Sequence, residues 1–121
     1  MKIYESSEDY LEAIFALHQH QSLVRSIDIA HKLGVSKPSV SVAMKNLREY
    51  GYLIVKEGGN LVLTEKGKAI AEEMFERHTF IAHWLMDIGV AQDVALQDAC
   101  RVEHAISKES FTAIKKYVNE H

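Results

Sequence analysis

The chain has 121 residues, of which 47% are hydrophobic and 26% charged, with a net charge of −3 and one cysteine. These values are typical of one globular domain, or of two small ones sharing a continuous core, and they exclude a disordered chain. One cysteine excludes an intramolecular disulfide. With no signal segment and no apolar run near the ~20 residues of a membrane span, the sequence predicts a cytoplasmic protein without a membrane partner.

The charge is unevenly distributed along the chain. Residues 25–68 hold eight basic and four acidic groups, a local charge of +4, whereas residues 1–24 carry −3 and residues 69–121 carry −4. A local basic region can bind phosphates whatever the total charge of the chain. The middle of the chain is therefore the candidate nucleic-acid-binding region.

The first predicted helix covers residues 6–18, where Ser6 or Ser7 can cap an apolar face with helical spacing. Asp9 and Glu12 are three residues apart and therefore lie on the same side of this helix. A solvated acidic edge is the commoner meaning of such a pair, so the pair alone predicts no site.

Two short helices follow. The first contains Ile27 and ends at Gly34, and the second is capped by Ser36, has Pro38 in its first turn and runs to Tyr50. Helices joined in this way predict a helix-turn-helix. A helical hairpin in any core would share the apolar pattern, but the small, polar and basic outward positions of the second helix favour DNA binding.

The outward positions of this second helix are the candidate DNA contacts. Basic residues there would meet phosphates, and small or apolar residues would approach base edges, where Val42 could contact a thymine methyl group. The candidates are Ser36, Lys37, Pro38, Ser39, Ser41, Val42, Lys45 and Arg48.

The next segment has two β-rich runs around Gly58-Gly59, which predict a short hairpin over residues 52–63. A helix-turn-helix followed directly by a hairpin is a winged helix. Lys56 is the basic residue placed to lie along the phosphate backbone.

Three helices are predicted after the hairpin. Thr64 can cap the first, from about Glu65 to Asp87; the second covers about Asp93–Ile106, and the last begins near Ser107. The apolar positions of the last helix predict burial of Phe111, Ile114 and Val118. The predicted inner stripe of the long helix consists of Ala71, Met74, Phe75, His78, Ile81, Ala82 and Leu85. A single histidine in such a stripe is more often a hydrogen-bonded core residue than a metal ligand.

The second of these helices carries Cys100, Glu103 and His104, whose spacing places all three side chains within an arc of roughly 100°. A thiolate, a carboxylate and an imidazole that face one point suit a divalent transition metal. The spacing alone is weak support, because such runs often occur by chance.

Taken in order, these segments resemble the diphtheria toxin repressor/manganese transport regulator family of metal-dependent repressors. The resemblance covers essentially the whole chain. It rests on Ser7-Glu8-Asp9-Tyr10-Leu11-Glu12, Ile27-Asp28-Ile29-Ala30, Val35-Ser36-Lys37-Pro38-Ser39-Val40-Ser41, Leu61-Val62-Leu63-Thr64-Glu65-Lys66-Gly67, Arg77-His78 and Asp98-Ala99-Cys100-Arg101-Val102-Glu103-His104.

The resemblance implies a function and a set of ligands. The expected fold is mainly α with a small β-hairpin: a winged helix-turn-helix DNA-binding domain in residues 1–68, then an all-helical metal-binding and dimerisation domain in residues 69–121. The family places Ser36, Pro38 and Ser39 at the DNA and forms homodimers. The implied metal ligands are Asp9, Glu12, His78, Cys100, Glu103 and His104.

The chain departs from both familiar subtypes of the family. Asp9 and Glu12 are similar to manganese-type members, which place a glutamate where Cys100 stands, whereas the Cys100 segment is similar to iron-type members. Iron-type members also use a glutamate where Ala82 falls and a histidine near Leu96, so their second site is not expected here in its iron-type form. The donor set suits Fe(II) or Mn(II), and Zn(II) or Co(II) should be able to substitute in vitro.

We therefore expect a non-enzymatic repressor of metal-homeostasis genes, in which Fe(II) or Mn(II) orders a homodimer to bind a palindromic double-stranded DNA operator. One alternative is a winged-helix repressor that senses thiol oxidation at Cys100 or a small molecule. A remote alternative is a metallohydrolase, for which the chain offers ligands but neither a spare general base nor a glycine-rich substrate loop.

Overall fold

The computed structural model describes residues 5–121, and these form six helices and one two-stranded hairpin. The helices are α1 (Glu5–His18), α2 (Ser26–Leu33), α3 (Lys37–Glu49), α4 (Glu65–Asp87), α5 (Gln92–Ala105) and α6 (Lys108–Glu120), and the strands are β1 (Leu53–Lys56) and β2 (Asn60–Leu63). None of the helices in the described residues is both long and apolar enough to cross a bilayer.

The chain divides into two compact units within α4, between Glu72 and Glu73. The predicted domain boundary near residue 68 stays a prediction. Residues 1–4 of the predicted first domain lie outside the described part of the chain.

The first unit has a core formed by α1, α2, α3, the hairpin and the start of α4. The residues with no more than 2% exposure include Leu11 and Ile14 of α1, Val40 of α3 and Leu53 of β1. β1 and β2 are antiparallel, with Leu53 opposite Leu63 and Lys56 opposite Asn60. A short 3-10 turn, Glu57–Gly59, connects the two strands.

The helix ends in this unit have the predicted chemistry. Gly34 follows α2 in the left-handed conformation, with φ 66°. Ser36 caps α3, and its Oγ accepts a hydrogen bond of 3.3 Å from the Ser39 N–H. At α4, the Thr64 Oγ1 accepts from the Gly67 N–H at 3.2 Å. Each cap satisfies backbone groups that a helix end leaves without intrahelical partners.

The second unit has its own core, in which Ile81 and Ala82 of α4 and Ala99 of α5 pack with Phe111 of α6. Phe111 is buried as predicted, whereas Ile114 and Val118 are only partly buried. The expected inward position of Phe75 is wrong, because this residue is 36% exposed. It lies at the edge of the apolar stripe, and Arg77, on the opposite edge, turns inward instead.

Candidate DNA reader and metal centre

Helix α3 is positioned by one buried stripe. Val40, Met44 and Leu47 are at most 5% exposed, so the opposite side of the helix faces away from the core. The eight candidate DNA contacts of this region are all exposed: Ser36, Lys37, Pro38, Ser39, Ser41, Val42, Lys45 and Arg48. Val42, the apolar member of this set that could contact a thymine methyl group, is 61% exposed. The surface is free to meet a partner, although contact of these residues with DNA stays a prediction.

The hairpin is held to the segment before α2. Val24 donates its N–H to the Asn60 Oδ1 at 2.9 Å, and Val24 accepts from the Leu61 N–H at 2.8 Å. Lys56 is exposed at the end of β1. The side chain of Arg25 lies beside the turn, 3.7 Å from where a Cβ on Gly58 would stand. From the sequence, Arg25 was considered only as part of the charge of residues 25–68. Its position beside the turn gives the hairpin region a second basic side chain in addition to Lys56.

The candidate ligands of the first unit are Asp9 and Glu12 on α1, and both are partly buried. Leu11 and Ile14, on the core side of the same helix, are fully buried. This packing sets the rotation of α1, so the two carboxylates share the other side as their spacing predicts.

The candidate ligands of the second unit surround one buried carboxylate. The side chain of Glu103 is 1% exposed, and its two oxygens face different imidazoles. Oε2 lies 3.2 Å from Nδ1 of His78, and Oε1 lies 3.2 Å from Nε2 of His104. Thus α4 and α5 bring together three of the residues that the sequence singled out.

Cys100 lies on the same helix and is exposed. Its thiol, the Glu103 carboxylate and the His104 imidazole each offer a ligand atom within 4.8 Å of the others. A buried carboxylate requires compensating charge or hydrogen bonds. Imidazole, carboxylate and thiolate donors at this separation fit a divalent transition metal, and His78 adds a further nitrogen beside Glu103.

Sequence reasoning missed the role of Arg77, which is 6% exposed. Its Nη1 donates to the backbone carbonyl oxygens of Glu103 at 3.0 Å and Ile106 at 2.7 Å. Its Nη2 bonds the Glu73 carboxylate at 3.0 Å. An arginine on the inward side of a helix, next to a candidate ligand, was the only sequence signal available for this contact.

Three further positions have no expected ligand role. His83 follows Ala82, lies about 100° from it around α4, and is exposed. Ala82 is 2% exposed and packs in the core, whereas Leu96 is 40% exposed. Neither side chain offers a ligand atom, and the expected lack of the iron-type second site stays a prediction.

Two family models together match almost the whole chain. Residues 2–61 match the iron-dependent repressor N-terminal DNA-binding domain, and residues 64–121 match the iron-dependent repressor metal-binding and dimerisation domain. The transcriptional regulator MntR of Escherichia coli O157:H7 is 32% identical over 97% of this chain and 76% of its own length. The HTH-type transcriptional regulator MntR of Bacillus subtilis is 36% identical over 90% of this chain and 77% of its own length.

Solved structures show the same fold. The manganese regulator SloR has a TM-score of 0.83 at 28% identity, over 93% of this chain. A manganese-dependent transcriptional repressor in complex with manganese has a TM-score of 0.84 at 27% identity. The chain spans about half of each of these structures, 53% and 52% respectively.

These matches confirm the resemblance and the fold class, a winged helix-turn-helix DNA-binding domain followed by a helical dimerisation domain. They also support a divalent metal, DNA and a second copy of the chain as partners. The curated relatives are transcriptional regulators, a class that is not enzymatic. The chain therefore belongs to the iron-dependent repressor family of metal-dependent transcriptional regulators.

Proposed function

We propose that the protein represses metal-homeostasis genes as a homodimer on a palindromic operator, with Fe(II) or Mn(II) as co-repressor. The observation that carries this proposal is the buried Glu103 carboxylate, 3.2 Å from the imidazoles of both His78 and His104 and within 4.8 Å of the Cys100 thiol. Burying a carboxylate in a core costs free energy unless its charge is compensated, and a reversibly bound cation would compensate it. Because its DNA partner is the genome, we place its action in the cytoplasm.

In this proposal the ligands come from both units. Asp9 and Glu12 lie on α1 of the DNA-binding unit, whereas His78, Cys100, Glu103 and His104 lie on α4 and α5 of the other unit. When bound, the ion supplies positive charge that lets three carboxylates share one site and joins the two units. Without that charge, the carboxylates of Asp9, Glu12 and Glu103 would repel each other and loosen the connection.

The consequence for DNA binding follows from dimer geometry. Two α3 helices of a dimer read half-sites about 34 Å apart, one turn of DNA. Ligands that hold each DNA-binding unit on its dimerisation unit would set that separation. A preference for the DNA-competent arrangement of about 1–3 kcal/mol is enough for a co-repressor.

The donor set also bears on metal identity. Carboxylates and imidazoles suit Mn(II) and Fe(II), and the Cys100 thiol shifts the preference towards Fe(II), Zn(II) or Co(II). Related proteins are named as manganese regulators. We therefore propose Fe(II) or Mn(II) in the cell, with Zn(II) or Co(II) able to replace them in vitro. The two oxygens of Glu103, each facing one imidazole, would allow this residue to serve two ions.

The test is DNA binding with and without metal. Double-stranded DNA selected from a random pool in the presence of Mn(II) supplies the probe, and its dissociation constant is then measured with Mn(II), with Fe(II) and with a chelator. We expect metal to tighten binding about 5- to 150-fold, the range of a 1–3 kcal/mol coupling.

Two histidines of α4 supply a matched pair of variants for this titration. His78→Ala should lose the metal response, and His83→Ala should keep it, because His83 is exposed on the same helix. Equal affinity with and without metal in the unmodified protein would exclude metal gating.

One observation favours a second candidate function. Cys100 is exposed, so its thiol is open to oxidants. A Cys100→Ser variant separates the two functions. If the protein is a metal sensor, the variant should bind Mn(II) less strongly or change its metal preference, and peroxide should affect DNA binding only through loss of metal. Full metal response with loss of a peroxide response would instead identify a thiol sensor.

A further inference from the structure

The part of the chain that the structure describes holds two buried residues with charged side chains, Glu103 at 0% exposure and Arg77 at 6%. Their side chains do not form a salt bridge in the usual sense, because Arg77 bonds the backbone of Glu103 and not its carboxylate. The carboxylate oxygens of Glu103 lie 3.2 Å from ring nitrogens of His78 and His104.

Arg77 acts on the end of α5. The carbonyl oxygens of the last turn of a helix lack intrahelical partners. The Nη1 of Arg77 donates to two carbonyl oxygens at this end, those of Glu103 and Ile106, at 3.0 and 2.7 Å. A guanidinium charge also suits the negative end of the helix dipole.

The guanidinium itself is held in place from other sides. Its Nη2 bonds Glu73, one turn earlier on α4, at 3.0 Å, and its central carbon lies 5.5 Å from the ring centroid of Phe111 on α6. Because a guanidinium is a planar and rigid fork, these contacts fix the directions of its N–H groups. Arg77 thereby connects α4, the end of α5 and α6.

The candidate metal ligands lie immediately beside these connections. His78 follows Arg77 in α4, and the carbonyl group that Arg77 holds belongs to Glu103 itself. A shift of the last turn of α5 would change the 3.2 Å separation between His78 and Glu103 and would move Cys100 and His104 with it. The bond to the Glu103 carbonyl oxygen fixes the backbone from which this ligand extends, and outer groups that hold ligands in place influence metal affinity.

We propose that Arg77 is a positioning residue of the metal site, which holds the Cys100, Glu103 and His104 turn of α5 against His78 of α4 before metal binds. This inference rests on the proposed function, since it takes these four residues as ligands. It assigns to Arg77 no contact with the ion.

The experiment measures Co(II) binding to the full chain by absorption spectroscopy, with Mn(II) affinity obtained by competition. Arg77→Met removes the fork and its charge, and Arg77→Lys keeps the charge but cannot donate to both carbonyl oxygens in the same geometry. Arg101→Met, on the exposed side of α5 with 79% of its side chain accessible, is the matched control.

Arg77→Met should weaken Co(II) binding about 10- to 100-fold, the usual effect of losing a group that orients a ligand. Its saturated Co(II) spectrum should also differ from that of the unmodified protein, because the ligand geometry has changed. Arg77→Lys should recover only part of the affinity. Arg101→Met should stay close to the unmodified protein in both affinity and spectrum.

Two results would overturn the inference. In the first, Arg77→Met and Arg77→Lys lower the urea midpoint of unfolding but leave the Co(II) affinity and spectrum unchanged, which shows a purely structural role. In the second, both variants are unfolded at saturating Co(II), which shows the same. If the unmodified protein binds neither Co(II) nor Mn(II), the proposed function fails instead, and the two failures are thus distinguished.

Discussion

Gly67 shows how one residue can fix the junction between the hairpin and α4. A Cβ built on it would stand 2.0 Å from the backbone oxygen of Tyr52 and 3.0 Å from its carbonyl carbon. Tyr52 is 2% exposed, and its oxygen also accepts from the Thr64 N–H at 3.1 Å. The neighbour is backbone in a bonded position, so it cannot move aside as a flexible side chain would.

Gly67→Ala should therefore destabilise the protein, although alanine is the better helix former by about 1 kcal/mol. The overpacking cost is about 1–3 kcal/mol, and the clash with fixed backbone places it at the upper end. The measurement is the free energy of unfolding from urea titration. Lys68→Ala is the control, because Lys68 is exposed and makes only a 3.9 Å surface ion pair with Glu72. A rise in stability for Gly67→Ala would show that the junction opens at little cost.

At the scale of whole elements, local chemistry was enough to predict most helix ends. Ser36 and Pro38 begin α3 within one turn, and Thr64 begins α4 through a side-chain bond to the Gly67 N–H. Gly34 ends α2 with φ 66°. In each case the signal and the structure that it predicts lie within four residues, so no knowledge of tertiary packing was required.

It was harder to predict which side chains of a helix are buried where a second element packs against that helix. The apolar stripe of α4 predicts Phe75 inside, but Phe75 is 36% exposed and Arg77 is 6% exposed. The bonds that compensate Arg77 come from carbonyl oxygens 26 and 29 residues away. Periodicity along one helix does not contain that information, because it depends on where α5 ends against α4.

The same limit applies to the candidate site. Spacing places Cys100, Glu103 and His104 on one side of α5, but only packing decides that the Glu103 side chain is 1% exposed while Cys100 is exposed. The sequence pointed to Cys100 as the distinctive member of the motif. The structure places Glu103 between the two imidazoles and makes it the centre of the arrangement.

For the molecule as a whole, the proposed function couples the binding of protons, metal and DNA. Imidazole nitrogens, carboxylates and a thiolate bind metal only when they are deprotonated, so metal binding releases protons. Acid must therefore weaken metal binding, and through it DNA binding. The sign follows from mass action: protons compete with the ion for His78, His104, Glu103 and Cys100.

We expect the DNA dissociation constant to rise from neutral to mildly acidic buffer when Mn(II) is subsaturating, and to change little over the same range when Mn(II) saturates the site. The measurement is DNA binding by fluorescence anisotropy at two Mn(II) concentrations, at constant ionic strength because phosphate contacts depend on salt. His20→Ala, at an exposed position outside the ligand set, is a control for histidine titration in general. An equal loss of affinity at both Mn(II) concentrations would place the proton-sensitive groups in the DNA-binding surface and would separate acid sensitivity from the metal centre.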